Sequence, residues 1–363
     1  MKASNTWNGL NQGRRQLYEL CKSGVEYYPL DRLGIDWNEL EISGENYYGY
    51  PPLQSAIADR YGISSENVVS TMGASFALYL VCASFLDAGD LVLVEKPAYE
   101  PLWAVPGTFQ ARIERVERHY EQDFRADLQT LEKQLDRKPK LFIMTNLHNP
   151  SGTLLESDDL DAVVKLTEER SIPLVMDEIY LDFMDERKRL GAFQRGRHVI
   201  VIGSLTKVYG MGDLRCGWIL APAEWAAGMR KIIDSMYVEA PFLIDQIALR
   251  AFKLLDGIRN GHRSRTARNL AVIREFIRKE PKLSWVEPRG GVVCFPRIEA
   301  GVYGDELADI LRREYNTAVV PGSFFDAPRH IRIGFGGPPE VIEGGIRNIG
   351  KALATLLYAV DAG

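Results

Sequence analysis

Several things are scarce or missing in this chain. It has four cysteines in 363 residues, Cys21, Cys82, Cys216 and Cys294, far apart and with no CxxC pair. That spacing argues against a disulfide framework or a metal site and for buried thiols. There is no excess of positive charge; the formal net charge is −5. Nucleic acid and anionic membrane are therefore poor partners. No apolar run approaches the ~18 residues of a membrane span, and the N-terminal MKASNTWNGLNQGRRQ lacks the apolar centre of a signal peptide. The expectation is a cytoplasmic protein. No internal repeat or low-complexity tract occurs.

What is present is an ordinary globular composition, 46% hydrophobic and 26% charged, long enough for two domains. Short apolar runs alternate with helical patterns: Val68–Met72, Leu91–Val94, Arg112–Val116, Lys140–Thr145, Pro173–Met176 and Val199–Ile202 read as strands. Between them, Leu53–Tyr61, a segment opened by Gly73-Ala74-Ser75 and running through Phe85, Leu128–Leu135 and Asp158–Arg170 read as helices, the last with Ser157 or Asp158 as N-cap. A helical zone follows from Ala240 to Lys279, with a weak break expected at Gly257–Gly261. After Pro281 short strands at Trp285-Val286, Gly291–Phe295, Ala318–Val320 and His330–Phe335 mix with helices at Asp305–Glu314 and Pro339–Leu357. This grammar predicts an α/β protein: a three-layer αβα large domain with a mainly parallel, mixed sheet over residues 46–280, and a smaller α+β domain over 281–363. An N-terminal arm, 1–45, with a helix around Gly13–Ser23, would add to the smaller domain.

In such sheets the loops past the carboxyl ends of the strands hold the site. Collected there are Ala74 and Ser75 at a helix start, Tyr99, Asn149, Asp177, Tyr180, and the segment Ser204–Arg215 containing Lys207. Alone, a loop lysine is a solvated charge. Together these residues offer an anion cradle (Ala74, Ser75, Ser204, Arg215), an aromatic plate (Tyr99), a carboxylate (Asp177), two neutral hydrogen-bonding groups (Asn149, Tyr180) and an amine (Lys207). Pyridoxal 5′-phosphate needs each of these: a phosphate site, a ring plate, a partner for its ring nitrogen, partners for its phenolic oxygen, and a lysine for its aldehyde. His148 beside a turn reads as structural. Gly336-Gly337-Pro338-Pro339 lacks the strand–loop–helix order of a dinucleotide site.

The ordered motifs Asn46-Tyr47-x-Gly49, Gly73-Ala74-Ser75, Pro97-Ala98-Tyr99, Asn149-Pro150-Ser151-Gly152, Asp177-Glu178-Ile179-Tyr180, Ser204-x-x-Lys207, Arg215 and Ile331-Arg332-Ile333 carry a resemblance. The chain resembles the fold-type I, pyridoxal-phosphate-dependent aminotransferases of class I/II. The resemblance implies that Lys207 forms a Schiff base with the cofactor and moves the substrate α-proton. It implies that Asp177 pairs with the ring nitrogen, Asn149 and Tyr180 with the phenolic oxygen, and that Tyr99 stacks on the ring. Ala74, Ser75, Ser204 and Arg215 would hold the phosphate. Tyr47 would reach the phosphate of a neighbouring subunit, implying a homodimer. Arg332 would grip the substrate α-carboxylate, with Asn149 beside it. The implied reaction is ping-pong transfer of an amino group between an L-amino acid and a 2-oxo acid.

Two departures bear on substrate. Dicarboxylate-specific relatives supply an arginine near positions 235–238, where this chain has Ser235-Met236-Tyr237-Val238, which disfavours strict aspartate specificity. In place of a Gly-x-Pro-like arm segment it has Tyr27-Tyr28-Pro29-Leu30. The same cofactor frame also serves lyases and cyclases, which stand as the alternative reaction class.

Overall fold

The computed structural model describes residues 16–184, 191–299 and 301–360, the side chains of 356–360 aside. The predicted helix over Gly13–Ser23 lies partly outside these residues. The chain forms two compact units. The larger comprises Tyr27–His148 and Leu154–Gly261; the other comprises the chain up to Glu26, Asn149–Thr153, and His262 onward.

The larger unit is built on seven strands: β1 (Val68–Thr71), β2 (Leu91–Lys96), β3 (Arg112–Glu117), β4 (Leu141–Thr145), β5 (Leu174–Asp177), β6 (Val199–Ser204) and β7 (Gly217–Leu220). Their order is β1-β7-β6-β5-β4-β2-β3. The pairs β3/β2, β2/β4, β4/β5 and β5/β6 are parallel, and β7 runs antiparallel to both its neighbours. The central strands are Val/Ile/Leu-rich because helices cover both faces.

One face packs on helices α1 (Pro51–Tyr61), α4 (Leu128–Leu135), α5 (Ser157–Glu169) and α7 (Phe242–Phe252), through Leu93, Phe142, Met176 and Val201. The other packs on α2 (Ala74–Phe85), α3 (Pro101–Thr108) and α6 (Ala223–Met236), through Val94, Ile143, Val175, Ile200 and Ile202. This is the three-layer arrangement expected from the alternation. Helices α3 and α6 were not anticipated. Pro106 inside α3 and the polar ends of α6 conceal them, while Leu102, Ala226, Met229 and Ile233 supply the buried stripe.

Several local expectations are corrected. Helix α5 begins at Ser157 with Glu156 at the cap position and no side-chain cap bond; Ser157 Oγ instead accepts from Arg195 Nη1 at 3.1 Å. The helical zone breaks at Lys253–Leu254, and α8 (Leu255–Lys279) continues through Gly257 and Gly261. A Cβ at either glycine would meet nothing within 4 Å, so no packing demand marks them as a break; they only weaken helix propensity. The described part of the Gly13–Ser23 stretch holds a short strand, Tyr18–Glu19, in place of a helix. Tyr18–Glu19 pairs parallel with Thr317–Ala318, and burying Leu20 outweighs helical patterning there.

In the second unit β8 (Val293–Cys294), β9 (Val320–Pro321) and β10 (Ile331–Gly334) form an antiparallel sheet in the order β8-β10-β9. Helices α9 (Gly304–Glu314) and α10 (Pro339–Val360) accompany it. Leu283–Ser284 is extended rather than Trp285-Val286, pairing with Arg297–Ile298. Gly334 N donates to Leu20 O at 2.7 Å, tying the arm to β10. Among the described residues no helix is long and apolar enough to cross a membrane.

Candidate active site

The carboxyl ends of β5 and β6 place the chemical groups. Along β5, Val175 packs toward the layer of α2, α3 and α6, so by the two-residue period of a strand Asp177 faces the same way. Ser204 follows Ile200 and Ile202 with the same parity. Asp177 is 7% exposed. Burial pushes its carboxyl up to about 7; the Glu95 charge adds to the rise, while the Ile179 N–H (3.2 Å from Oδ1) and Lys207 oppose it. A carboxyl in that range shares a proton readily with an aromatic ring nitrogen.

Lys207 lies half-buried on the loop between β6 and β7. The loop is fixed at both stems: Leu205 N donates to Cys216 O at 3.1 Å, and Met211 N donates to Leu205 O at 3.2 Å. Below it, the buried Tyr209 hydroxyl donates to Asp182 and accepts from Arg60 Nη2 at 3.0 Å. Ser204 Oγ lies 2.6 Å from Thr206 Oγ1 and donates to Cys216 O at 3.1 Å.

The anion cradle comes from close backbone approach. Gly73 precedes α2 with φ +82°, and a Cβ there would fall 2.3 Å from Arg215 Nη2. Arg215 Nη2 donates to Met72 O at 3.2 Å, which holds the guanidinium beside the helix start. Gly217, in register with Ser204, comes so near that its Cβ would meet the Gly73 carbonyl carbon at 2.6 Å and Ala74 N at 2.9 Å. The free N–H groups of α2, the Ser204 strand end and Arg215 thus meet, as an anion site requires. Tyr99, 41% exposed, stands between β2 and α3. Tyr180 is buried with its ring stacked on Phe183. Tyr47 is 72% exposed and bridges to Glu239.

The second unit holds the remaining two predicted residues. Arg332 on β10 is buried; Nη1 donates to Asn149 Oδ1 at 3.2 Å and Nη2 to Cys21 O at 3.0 Å, and its guanidinium lies 5.0 Å from the Phe325 ring centroid. Its Nε is buried with no acceptor among the described residues, which suits it to an incoming carboxylate. Gly152 (φ +73°) lets the Asn149 turn close: a Cβ would meet Pro288 Cβ at 2.7 Å and Val293 O at 2.8 Å.

These donors fit pyridoxal 5′-phosphate: a glycine-lined cradle with an arginine for the phosphate, and a buried acid of raised proton affinity near a lysine. Sequence reasoning passed over Glu95, Arg118 and Thr145, a buried polar group at the same sheet edge. The signal was an acid ending the otherwise apolar run Leu91–Val94.

The profile of the family described as aminotransferase class I and II matches residues 40–349. Capreomycidine synthase of Streptomyces vinaceus is 28% identical, over 93% of this chain and 90% of its own length. An arginine–pyruvate transaminase of Pseudomonas aeruginosa is 26% identical, over 87% of this chain and 84% of its own. Among solved structures, a PLP-dependent cyclase superposes with a TM-score of 0.87 at 25% identity, covering 96% of each chain. The chain belongs to the class I and II aminotransferases, a family of fold-type I enzymes whose cofactor is pyridoxal 5′-phosphate.

Proposed function

We propose that the protein transfers an amino group between an L-amino acid and a 2-oxo acid in two half-reactions, with Lys207 as covalent anchor and proton carrier. The observation that carries this reading is a deeply buried Asp177, its carboxyl held up to about 7, within electrostatic reach of Lys207 on a loop fixed at both stems. Bound pyridoxal 5′-phosphate supplies an aldehyde that condenses with amines and a ring that accepts the electron pair of a breaking Cα–H bond.

The chain's own groups do the rest. The α2 N-terminus, Ser204 and Arg215 hold the dianion and so set the ring's position. Asp177 holds a proton at the ring-nitrogen position. Tyr180 and Asn149 hydrogen-bond the phenolic oxygen, and Tyr99 covers the ring. Arg332 binds the substrate α-carboxylate through two N–H groups, which fixes which bond at Cα breaks. Lys207 Nζ would carry the covalent link to the cofactor's aldehyde and, once free, would serve as the base that takes up and gives back the substrate α-proton. The substrates are small amino and oxo acids, and the working form is a homodimer with Tyr47 reaching a second copy.

Borohydride reduction of the cofactor-loaded protein, followed by peptide mass spectrometry, should leave the cofactor on the peptide containing Lys207. Lys207→Ala should lose this label and nearly all turnover; turnover at the wild-type rate would overturn the assignment.

A second reading is cyclisation of an amino-acid substrate, favoured by the synthase and cyclase among the similar proteins and by the absence of arginine at 235–238. A panel of amino donors separates the two. Transamination yields one 2-oxo acid per donor and requires an oxo-acid acceptor for turnover. A cyclase consumes its substrate with no acceptor present.

A further inference from the structure

Beside Asp177 the sheet edge holds a second acid that the proposed reaction leaves unused. Glu95, near the end of β2, is 1% exposed. Its Oε2 accepts from Arg118 Nη1 at 2.7 Å, just past β3, and Arg118 is itself buried. Its Oε1 accepts from Thr145 N at 2.8 Å and from the Thr145 hydroxyl. Thr145 ends β4 and is the register neighbour of Asp177 on β5, and Asn146 N donates to Asp177 O at 3.0 Å. Arg118 is held in turn by the Phe124 carbonyl, which accepts from its Nε. The group therefore crosses four adjacent strand ends, β3, β2, β4 and β5. A buried ion pair is a poor device for stability alone, because apolar residues of similar size would join the strands as well.

We propose that Glu95 is a positioning residue for the cofactor: clamped by Arg118, it fixes Thr145 and with it the strand end carrying Asp177, and it sets a buried negative charge behind that carboxylate. The proposal rests on the reading of Asp177 as the partner of the ring nitrogen. The added charge strengthens the hold of Asp177 on a proton, along with burial and against the Ile179 N–H and Lys207. Burial raises the Glu95 carboxyl, while Arg118 and the two Thr145 donors it faces pull it down and favour its charged form. The nearby His148, its Nε2 2.8 Å from Pro97 O, is kept neutral by burial and by Arg118, and adds no compensating charge.

The test uses the cofactor-loaded protein and three readouts: the pH midpoint of the visible absorption band, which follows the proton at Lys207 Nζ, the dissociation constant for pyridoxal 5′-phosphate, and Tm. Glu95→Gln should lower the midpoint by about half a unit or more, since a buried negative charge favouring the protonated form is gone. It should also weaken cofactor binding by about tenfold. Glu95→Asp, which keeps the charge, should bring the midpoint back toward wild type. A lower Tm with midpoint and binding unmoved would reduce Glu95 to a structural residue and overturn the proposal. Should Glu95→Gln fail to fold, Thr145→Val serves: the circular dichroism of the bound cofactor should fall as the strand end loosens, and an unchanged signal overturns the proposal. A wild-type protein without any visible cofactor band would sink the Asp177 reading itself, a result distinct from a normal wild-type band with an unmoved midpoint in the variant.

Discussion

Asp177 costs the folded chain stability at neutral pH. Its carboxyl titrates near 7 in the folded chain, against about 3.9 for an unperturbed aspartate. The folded state therefore binds the extra proton between those values. By linkage the stability of the cofactor-free protein falls as pH rises from about 4 to about 7, and levels off above. Asp177→Asn removes the penalty. Thermal unfolding of the cofactor-free variant should show it more stable than wild type by about 1–3 kcal/mol at pH 8, with the gain shrinking toward pH 4. The same substitution should cut turnover of the loaded enzyme by about a hundredfold or more, because a neutral amide does not hold the ring nitrogen protonated. A variant destabilised at pH 8 would contradict this account. The acid itself was legible in the sequence as a carboxylate at a strand end. Its raised proton affinity was not, because burial depends on the layer of α2, α3 and α6 that closes over β5.

At the scale of elements, the proposed anion site depends on two glycines, Gly217 letting its strand touch the Gly73-Ala74 backbone and Gly73 letting the Arg215 guanidinium approach. Gly217→Ala would drive a Cβ into the Gly73 and Ala74 backbone, and backbone yields only by moving the start of α2. Titration with pyridoxal 5′-phosphate should show binding weakened by about tenfold, or ~1.4 kcal/mol, with the far-ultraviolet dichroism unchanged. Unchanged affinity would remove α2 from the phosphate site. Strands were the readily legible elements, since runs such as Val199–Ile202 admit few other readings. Helices α3 and α6 escaped because a proline and short buried stripes blur their period. The cap of α5 was misread because Ser157 serves Arg195 instead, a partner 38 residues away that local pattern does not reveal.

On the scale of the whole molecule, the stretch from Tyr27 to Tyr48 leaves large apolar groups in solvent: Tyr27, Trp37, Ile42 and Tyr47 are each at least 60% exposed, Ile42 reaching 82%. In the proposed homodimer these side chains would be covered by the second copy. We expect sedimentation to give a dimer. The double variant Trp37→Glu, Ile42→Glu should sediment as a monomer and, if Tyr47 of a second copy serves the phosphate as proposed, bind cofactor more weakly; a monomeric wild type would exclude the arrangement. The α/β class and its mainly parallel sheet were readable from the order of apolar runs. The arm was not, because Tyr18–Glu19 takes its conformation from Thr317–Ala318, nearly 300 residues further along the chain.

The reversed strand β7 has a wider meaning. Because it runs against β6, the loop that carries Lys207 leaves and re-enters the sheet at one edge, as an arch with both feet in neighbouring strands. Strand pairing holds the two stems of the loop that carries the amine. On the reading of Lys207 as covalent anchor, the link at Nζ would be broken and remade while the arch keeps its shape, returning the lysine to the same spot without a search.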